Sequence, residues 1–332
     1  MRYLSRVIVS LLLFHSFASA NQNTVPGEVL FTQQVVALDE KNNEYPSVRI
    51  EPDRVDGLRS HTYDMGEHGS LMIMTNIQEI EFRGLPELVK GVEHAYQFIH
   101  RETGRYPKSG VLLYIIEMDQ VPLAYTFQAS YPDDAGWSEV RLALVRRGEP
   151  LFGSDAAQSV SELVYDTIPH ELTHDVLAGL HSLPHDLNGR SSYHTRWFIE
   201  GVCELLAKRF AHEEGVFAWR HFLRLRHVER VLVDETVRRS LFNWSQFNQN
   251  GMNLESDLYG AAMLVLMEWT RMVDLRLLLN RIDNSPRPLN GSDLQALLET
   301  TTGHDVEWVM DQGHLIGRGL MVDDNLATYQ AE

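Results

Sequence analysis

The sequence predicts an α+β protein, and three observations carry that reading. Short β-prone runs crowd the first half of the chain, amphipathic helical spacing takes over after about residue 160, and a single helical stretch at 85–104 separates two groups of strand-like runs. The predicted core is a mixed sheet with helices packed on it. Composition places a leader at 1–20, a small β-rich lobe at 21–83, the core at 84–214 and a mainly helical lobe at 215–332.

The leader is read from charge followed by apolarity. Arg2 and Arg6 precede the apolar run 7–14, and Ala18, Ser19 and Ala20 form a small-residue cleavage pattern before Asn21. The run is too short to span a bilayer, and no later stretch approaches 18 uninterrupted apolar residues, so an exported protein, periplasmic or secreted and without membrane insertion, is expected. Lys and Arg number 29 against 46 Asp and Glu, a net charge of −17; the first twenty residues carry two arginines and no acid, so without them it is −19. Such an acidic chain is a poor partner for nucleic acid. The only cysteine, Cys203, excludes an intramolecular disulfide, and 44% apolar residues supply a core large enough to stabilise the fold.

In the β-rich lobe, runs at 29–36, 47–50 and 70–74 alternate with polar turns such as Lys41, Asn42 and Asn43. His61, Asp64 and His68 read as solvated residues of a turn-rich segment. Leu85, Leu88, Val89, Val92, Tyr96 and Ile99 recur at helical spacing up to Gly104. The β-branched apolar run 111–116 then has the length of a buried strand. Runs at 121–129 and 140–145, separated by Tyr131, Pro132, Asp133, Asp134 and Gly136, continue an antiparallel or mixed sheet.

The chemistry is concentrated in His170-Glu171-Leu172-Thr173-His174. Two histidines four residues apart project from one face of a helix, one turn apart, and their ring nitrogens can grip one metal ion. Zinc takes nitrogen ligands in a tetrahedron and keeps one position for water in a catalytic site. Glu171, next to the first histidine, is placed to accept a proton from that water. Pro169 suits a first helical turn with Thr167 as a cap, while Val160, Leu163, Val164 and Ile168 also permit a longer helix that bends there. Leu172, Val176, Leu177 and Leu180 give the helix an apolar stripe, against a merely solvated histidine pair.

A second amphipathic helix, about 194–212, is marked by Trp197, Phe198, Val202, Leu205, Leu206 and Phe210. Glu200 and Glu204 share one of its faces. Glu200 can complete a His, His, Glu set, and Glu204 can accept the outer N–H of a liganding histidine; the alternative, a solvated acidic face, sits badly with the apolar residues beside both. The intervening loop carries Pro184, Asn188 and Gly189, and its histidines, His181, His185 and His194, read as solvated. Arg220, Arg224, Arg226 and Arg230 read as a solvated cationic face. Tyr259, Gly260, Ala261 and Ala262 lie in an apolar helix over 254–273, and further helices follow at 275–282 and 294–300 with Pro286 and Pro288 between them.

HELTH followed by Trp197-Phe198-Ile199-Glu200-Gly201 resembles the gluzincins, the thermolysin-like and aminopeptidase-like zinc metallopeptidases whose third ligand is a glutamate on the following helix. The resemblance covers roughly 160–210, with a weaker echo at 257–269. It implies a thermolysin-like zincin core with one Zn2+ per chain, held by His170, His174 and Glu200. It also implies Glu171 as general base, Glu204 as the acidic residue one turn past the ligand, and Tyr259 as an oxyanion donor, where a plain core tyrosine is the alternative. An edge strand holding an extended peptide is expected too, with 138–145 as the candidate. Cys203 stands where many relatives carry a small residue such as alanine, a mild change, and the loop between the helices is longer than in the aminopeptidases. A metzincin would need glycine and histidine where Leu177 and Leu180 stand, and Asp186, a possible aspzincin ligand, lacks the helical setting of Glu200. The expected function is an exported zinc peptidase acting on peptide or protein substrates. Its rivals are a zinc-bearing protein that binds peptide or glycan without turnover, against which the intact Glu171 argues, and a purely structural helical protein.

Overall fold

A computed structural model of the protein describes residues 10–14, 30–34, 48–50, 57–66, 69–77, 85–107, 111–118, 125–130, 139–146, 163–183, 194–215, 223–224, 226–244 and 252–322. The chain divides into two compact units, Met1–Glu93 with Lys108–Val164, and His94–Pro107 with Tyr165–Glu332.

Among the described residues the first unit holds two sheets. In the smaller, β1 (Ser10–Phe14), β2 (Leu30–Gln34) and β3 (Val48–Ile50) pair antiparallel in that order, with Leu12 opposite Thr32 and Thr32 opposite Arg49. β1 is formed by five residues of the apolar run read as part of the leader. The larger sheet comprises β4 (Arg59–Asp64), β5 (Ser70–Thr75), β6 (Val111–Met118), β7 (Tyr125–Ser130) and β8 (Glu139–Arg146), in the order β4-β5-β6-β8-β7. β5 and β6 run parallel with Met72 opposite Leu112, β6 and β8 parallel with Tyr114 opposite Leu142, and both outer pairs are antiparallel. The sheet is therefore mixed. A parallel pair needs a crossover, which α1 (Leu85–Thr103) supplies between β5 and β6.

Three sequence expectations change here. β8 is paired on both sides, so 138–145 does not form the sheet edge that was to hold a peptide; β4 and β7 are the outer strands. His61 and Asp64 lie on β4 rather than in a turn, and His68 is outside the described residues. β4 and β5 share the sheet with β6 to β8, so the contacts divide the chain elsewhere than at 83 and 214.

α1 buries Leu85, Leu88, Val92, Tyr96 and Ile99 as its periodicity requires. It stops where Gly104 turns left-handed at φ 72° and its N–H reaches back 2.8 Å to the His100 carbonyl.

The second unit is built of helices. A widened π-helical turn, Leu163–Thr167, runs into α2 (Ile168–Ala178). α3 (Arg196–Glu213), α4 (Glu235–Leu241), α5 (Met252–Met272), α6 (Leu275–Asp283), α7 (Gly291–Thr302) and α8 (Val306–Val322) follow. The π turn resolves the two readings of the helix start: Pro169 cannot donate to the preceding turn and its ring crowds the carbonyl four residues back, which a wider turn relieves.

Trp197, Phe198, Leu205, Leu206 and Phe210 of α3 and Leu258, Ala261, Ala262, Leu266 and Trp269 of α5 are fully or almost fully buried. The two helices meet where Gly201 has no side chain; a Cβ there would stand 2.8 Å from the Ala262 carbonyl oxygen. α6 and α7 start on side-chain caps. Asp274 accepts from the N–H of Arg276 at 2.7 Å, and Asn290 and Asp293 form a capping box. α8 goes beyond the helices that periodicity gives. Gly313 and Gly317 weaken its helical signal, and both sit where a Cβ would strike Leu232 or the Val228 carbonyl. Among the described residues no helix is long and apolar enough to cross a membrane.

Candidate metal centre

α2 presents His170, Glu171 and His174, and α3 presents Glu200 and Glu204, each pair placed by helical periodicity. His170 Nε2 and His174 Nε2 stand 3.1 Å apart, and Glu200 Oε2 lies 3.4 Å from the first and 3.3 Å from the second. A tetrahedral ion with bonds of about 2.0–2.1 Å has ligand-to-ligand edges of about 3.3–3.4 Å. The three donor atoms thus form one face of such a tetrahedron. Glu200 Oε2 is buried and makes no hydrogen bond, an expensive state for a carboxylate oxygen that a cation would relieve.

Cys203, buried on α3, also lies by this histidine pair: its sulfur and one ligand atom of each histidine fall within 4.8 Å of one another. Glu200 meets the tetrahedral edge length against both histidines. The sequence marks Cys203 only as a small residue's replacement, whereas the structure sets a soft donor beside the centre.

Glu171 Oε1 is 3.8 Å from His170 Nε2, in a buried position. Burial pushes its carboxyl well above the usual carboxylate range, and the neighbouring charges of Glu200 and Glu204 push it further. Burial acts the same way on Glu200, but His174, His170 and Arg196 outweigh it and hold the carboxyl well below that range. The environment thus separates these carboxyls in the manner expected of groups with different tasks.

Glu204 Oε1 lies 3.4 Å from His170 Nδ1, the ring nitrogen facing away from Glu200. Its carboxylate is 1% exposed and depends on compensation: Lys208 Nζ donates to Oε2 at 2.7 Å and Arg226 Nη2 to Oε1 at 2.7 Å. Lys208 in turn donates to Asp166 Oδ1 at 2.5 Å, on the π turn before α2. Against the cost of burial, Arg226, Lys208 and His170 hold Glu204 well below its usual range, and Asp166 and Glu204 keep Lys208 charged. Arg226 was assigned to a solvated cationic face; it is instead part of this network.

Tyr259 of α5 reaches the same place. Its ring centroid is 6.3 Å from that of His170, and its hydroxyl accepts a 3.1 Å hydrogen bond from Arg196 Nη2. Arg196 Nε also donates to Glu200 Oε1 at 3.3 Å, and its guanidinium lies 4.3 Å over the Trp244 ring. Lys208, Asp166, Arg196, Arg226 and Trp244 were not singled out from the sequence as site residues. Only Lys208 and Arg196 carried a signal, each being four residues from a site glutamate on the same helix.

Of the loop histidines, His181 and His194 do not join the centre. His181 is exposed and its backbone N–H donates to Asp283 Oδ1 at 2.8 Å. His194 is exposed with φ 50°, and His185 and Asp186 lie outside the described residues.

No family model matches this sequence, and no curated protein matches it. Among solved structures, an aminopeptidase N family protein from Idiomarina loihiensis is similar at 12% identity over 88% of this chain and 48% of its own, with a TM-score of 0.45. Yeast LTA4 hydrolase in complex with bestatin is similar at 14% identity over 92% of this chain and 44% of its own, TM-score 0.46. Native yeast LTA4 hydrolase gives 12%, 98%, 44% and 0.41 in the same terms. The chain spans less than half the length of these structures.

Proposed function

We propose that this protein is a zinc-dependent peptidase, with one Zn2+ per chain held by His170, His174 and Glu200. The observation that carries the reading is the triangle of 3.1, 3.3 and 3.4 Å made by their donor atoms, with the buried Glu171 carboxyl beside it. A zinc ion in such a site acts as a Lewis acid toward a carbonyl and lowers the pKa of a water molecule. Glu171 takes the proton from the attacking water and delivers it to the departing amine nitrogen, a task that suits a carboxyl whose burial has raised its proton affinity. Glu204 orients His170 through Nδ1 and keeps Nε2 turned toward the centre. Tyr259, whose oxygen already accepts from Arg196, directs its own proton elsewhere and donates to the oxyanion that develops on the carbonyl.

Export is part of the proposal and is supported by the leader pattern at 1–20. Turnover is favoured over binding alone because a protein that only bound peptide or glycan would have no use for a buried carboxyl at Glu171. The test is cleavage of a mixed peptide library by the protein, with products mapped by mass spectrometry. A chelator control and the Glu171→Gln variant run alongside. Cuts that vanish in both controls, while the variant still holds zinc, are expected. Zinc at one per chain with no cut in any peptide would replace the peptidase reading by the binding one.

A further inference from the structure

We infer that Arg196 is a positioning residue that serves the metal ligand and the oxyanion donor at once. The inference rests on the zinc-site reading above. Arg196 is the first residue of α3, one turn before Glu200, so its side chain runs along the helix face that carries the carboxylate. A guanidinium is a rigid planar fork of five donors, and two of its edges are committed here in different directions. Nε donates to Glu200 Oε1 at 3.3 Å, and Nη2 donates to the Tyr259 hydroxyl at 3.1 Å.

Each bond removes an ambiguity. A glutamate can offer a metal either oxygen or both; with Oε1 engaged by Arg196, Oε2 is the oxygen left at 3.3–3.4 Å from the two imidazoles. A tyrosine hydroxyl can donate or accept. Arginine cannot accept, so toward Arg196 the Tyr259 oxygen can only be an acceptor, and its proton has to point away from the guanidinium. A cationic donor on the phenol oxygen also strengthens that O–H as a donor.

The fork itself is held in place by aromatic packing. Its carbon lies 4.3 Å over the Trp244 ring and 5.7 Å from the Tyr259 ring, and Trp244 meets Tyr259 edge to face at 4.9 Å. Trp244 is fully buried, so Arg196 cannot swing toward it without a clash. Lysine would keep the charge and lose the geometry: one ammonium on a flexible stem neither stacks in this way nor spans both acceptors.

The experiment is competition for zinc between the full-length protein and a chromophoric chelator, read for wild type, Arg196→Met, Arg196→Lys and Tyr259→Phe. Residues that orient a metal ligand from outside the coordination sphere typically contribute about 10- to 100-fold to affinity. Arg196→Met is expected to lose zinc affinity on that scale, Arg196→Lys to recover little of it, and Tyr259→Phe to bind as wild type. On any peptide the wild type cuts, the kcat loss of Tyr259→Phe should largely disappear in the Arg196→Met background, because the two act through one hydrogen bond. Wild-type zinc affinity in both Arg196 variants overturns the inference and leaves the zinc site standing. A wild type that binds no zinc overturns the site reading, and this inference with it. If Arg196→Met does not fold, Arg196→Lys decides: unchanged affinity there counts against the inference.

Discussion

Lys208 Nζ lies 2.7 Å from Glu204 Oε2, and both side chains are 1% exposed. An ion pair in that setting is not a stabilising ornament, because each charge has lost its hydration and exists on the strength of the other. The pair lets a carboxylate sit beside His170 Nδ1 in the interior; Arg226 adds a second cation to that carboxylate, and Asp166 a second anion to Lys208.

Removing one member should therefore cost far more than a surface pair would. Lys208→Met leaves the buried Glu204 and the half-buried Asp166 with one cation fewer and is expected to destabilise the protein by about 3 kcal/mol or more. Urea unfolding of the metal-free variant at neutral pH measures this. A loss below about 1 kcal/mol, typical of exposed pairs, would mean that water reaches the cluster.

Tyr259→Phe separates chemistry from packing. If the hydroxyl meets the oxyanion, kcat falls by about 100- to 1000-fold with zinc content unchanged. Steady-state kinetics on a cleaved peptide decides the matter, and a variant with wild-type kcat would return Tyr259 to the role of a core residue.

Gly201→Ala tests the contact between α3 and α5. The added Cβ would be 2.8 Å from the Ala262 carbonyl oxygen and 2.9 Å from Leu266 Cδ2, and the carbonyl is main chain and cannot rotate aside. Overpacking of this kind costs about 1–3 kcal/mol. Because Glu200 is the adjacent residue, thermal unfolding should show both a lower midpoint and a smaller shift between zinc-loaded and chelator-treated samples.

Asp283 gives a pH dependence with a definite sign. The His181 backbone N–H and Arg105, 2.8 Å from Oδ2, hold its carboxyl below the usual aspartate value. A folded-state pKa below the unfolded one contributes stability that is present above about pH 4 and lost as pH falls through the folded value. Asp283→Asn should be less stable than wild type at pH 7, and the gap should close in acid. Urea midpoints across that range check it; a gap that is constant with pH would show that the charge is irrelevant.

The legible part of the site was the part written on single helices. His170, Glu171 and His174, then Glu200 and Glu204, are brought together by periodicity within each helix, so their spacing in sequence already says which face they share. Lys208 follows from the same rule. Asp166, Arg226 and Trp244 arrive from turns and from other parts of the chain, where no period marks them. The fold shows the same division. β4 was invisible because Ser60, His61 and Thr62 look like a turn, and its strand character comes from pairing with β5. The interior place of β8 follows from strand order, a property of the assembled sheet rather than of residues 139–146.

The π turn before α2 has a consequence for chain length. Such a turn is an α-helical turn carrying one residue more than it needs, so it works as a register shift just upstream of His170. Deleting Thr167 would tighten it and turn Asp166 by about 100° about the helix axis, leaving His170 and His174 where they are. Asp166 would then swing away from Lys208. A one-residue deletion here is thus an edit to the charge balance around Glu204 and not to the proposed ligand set.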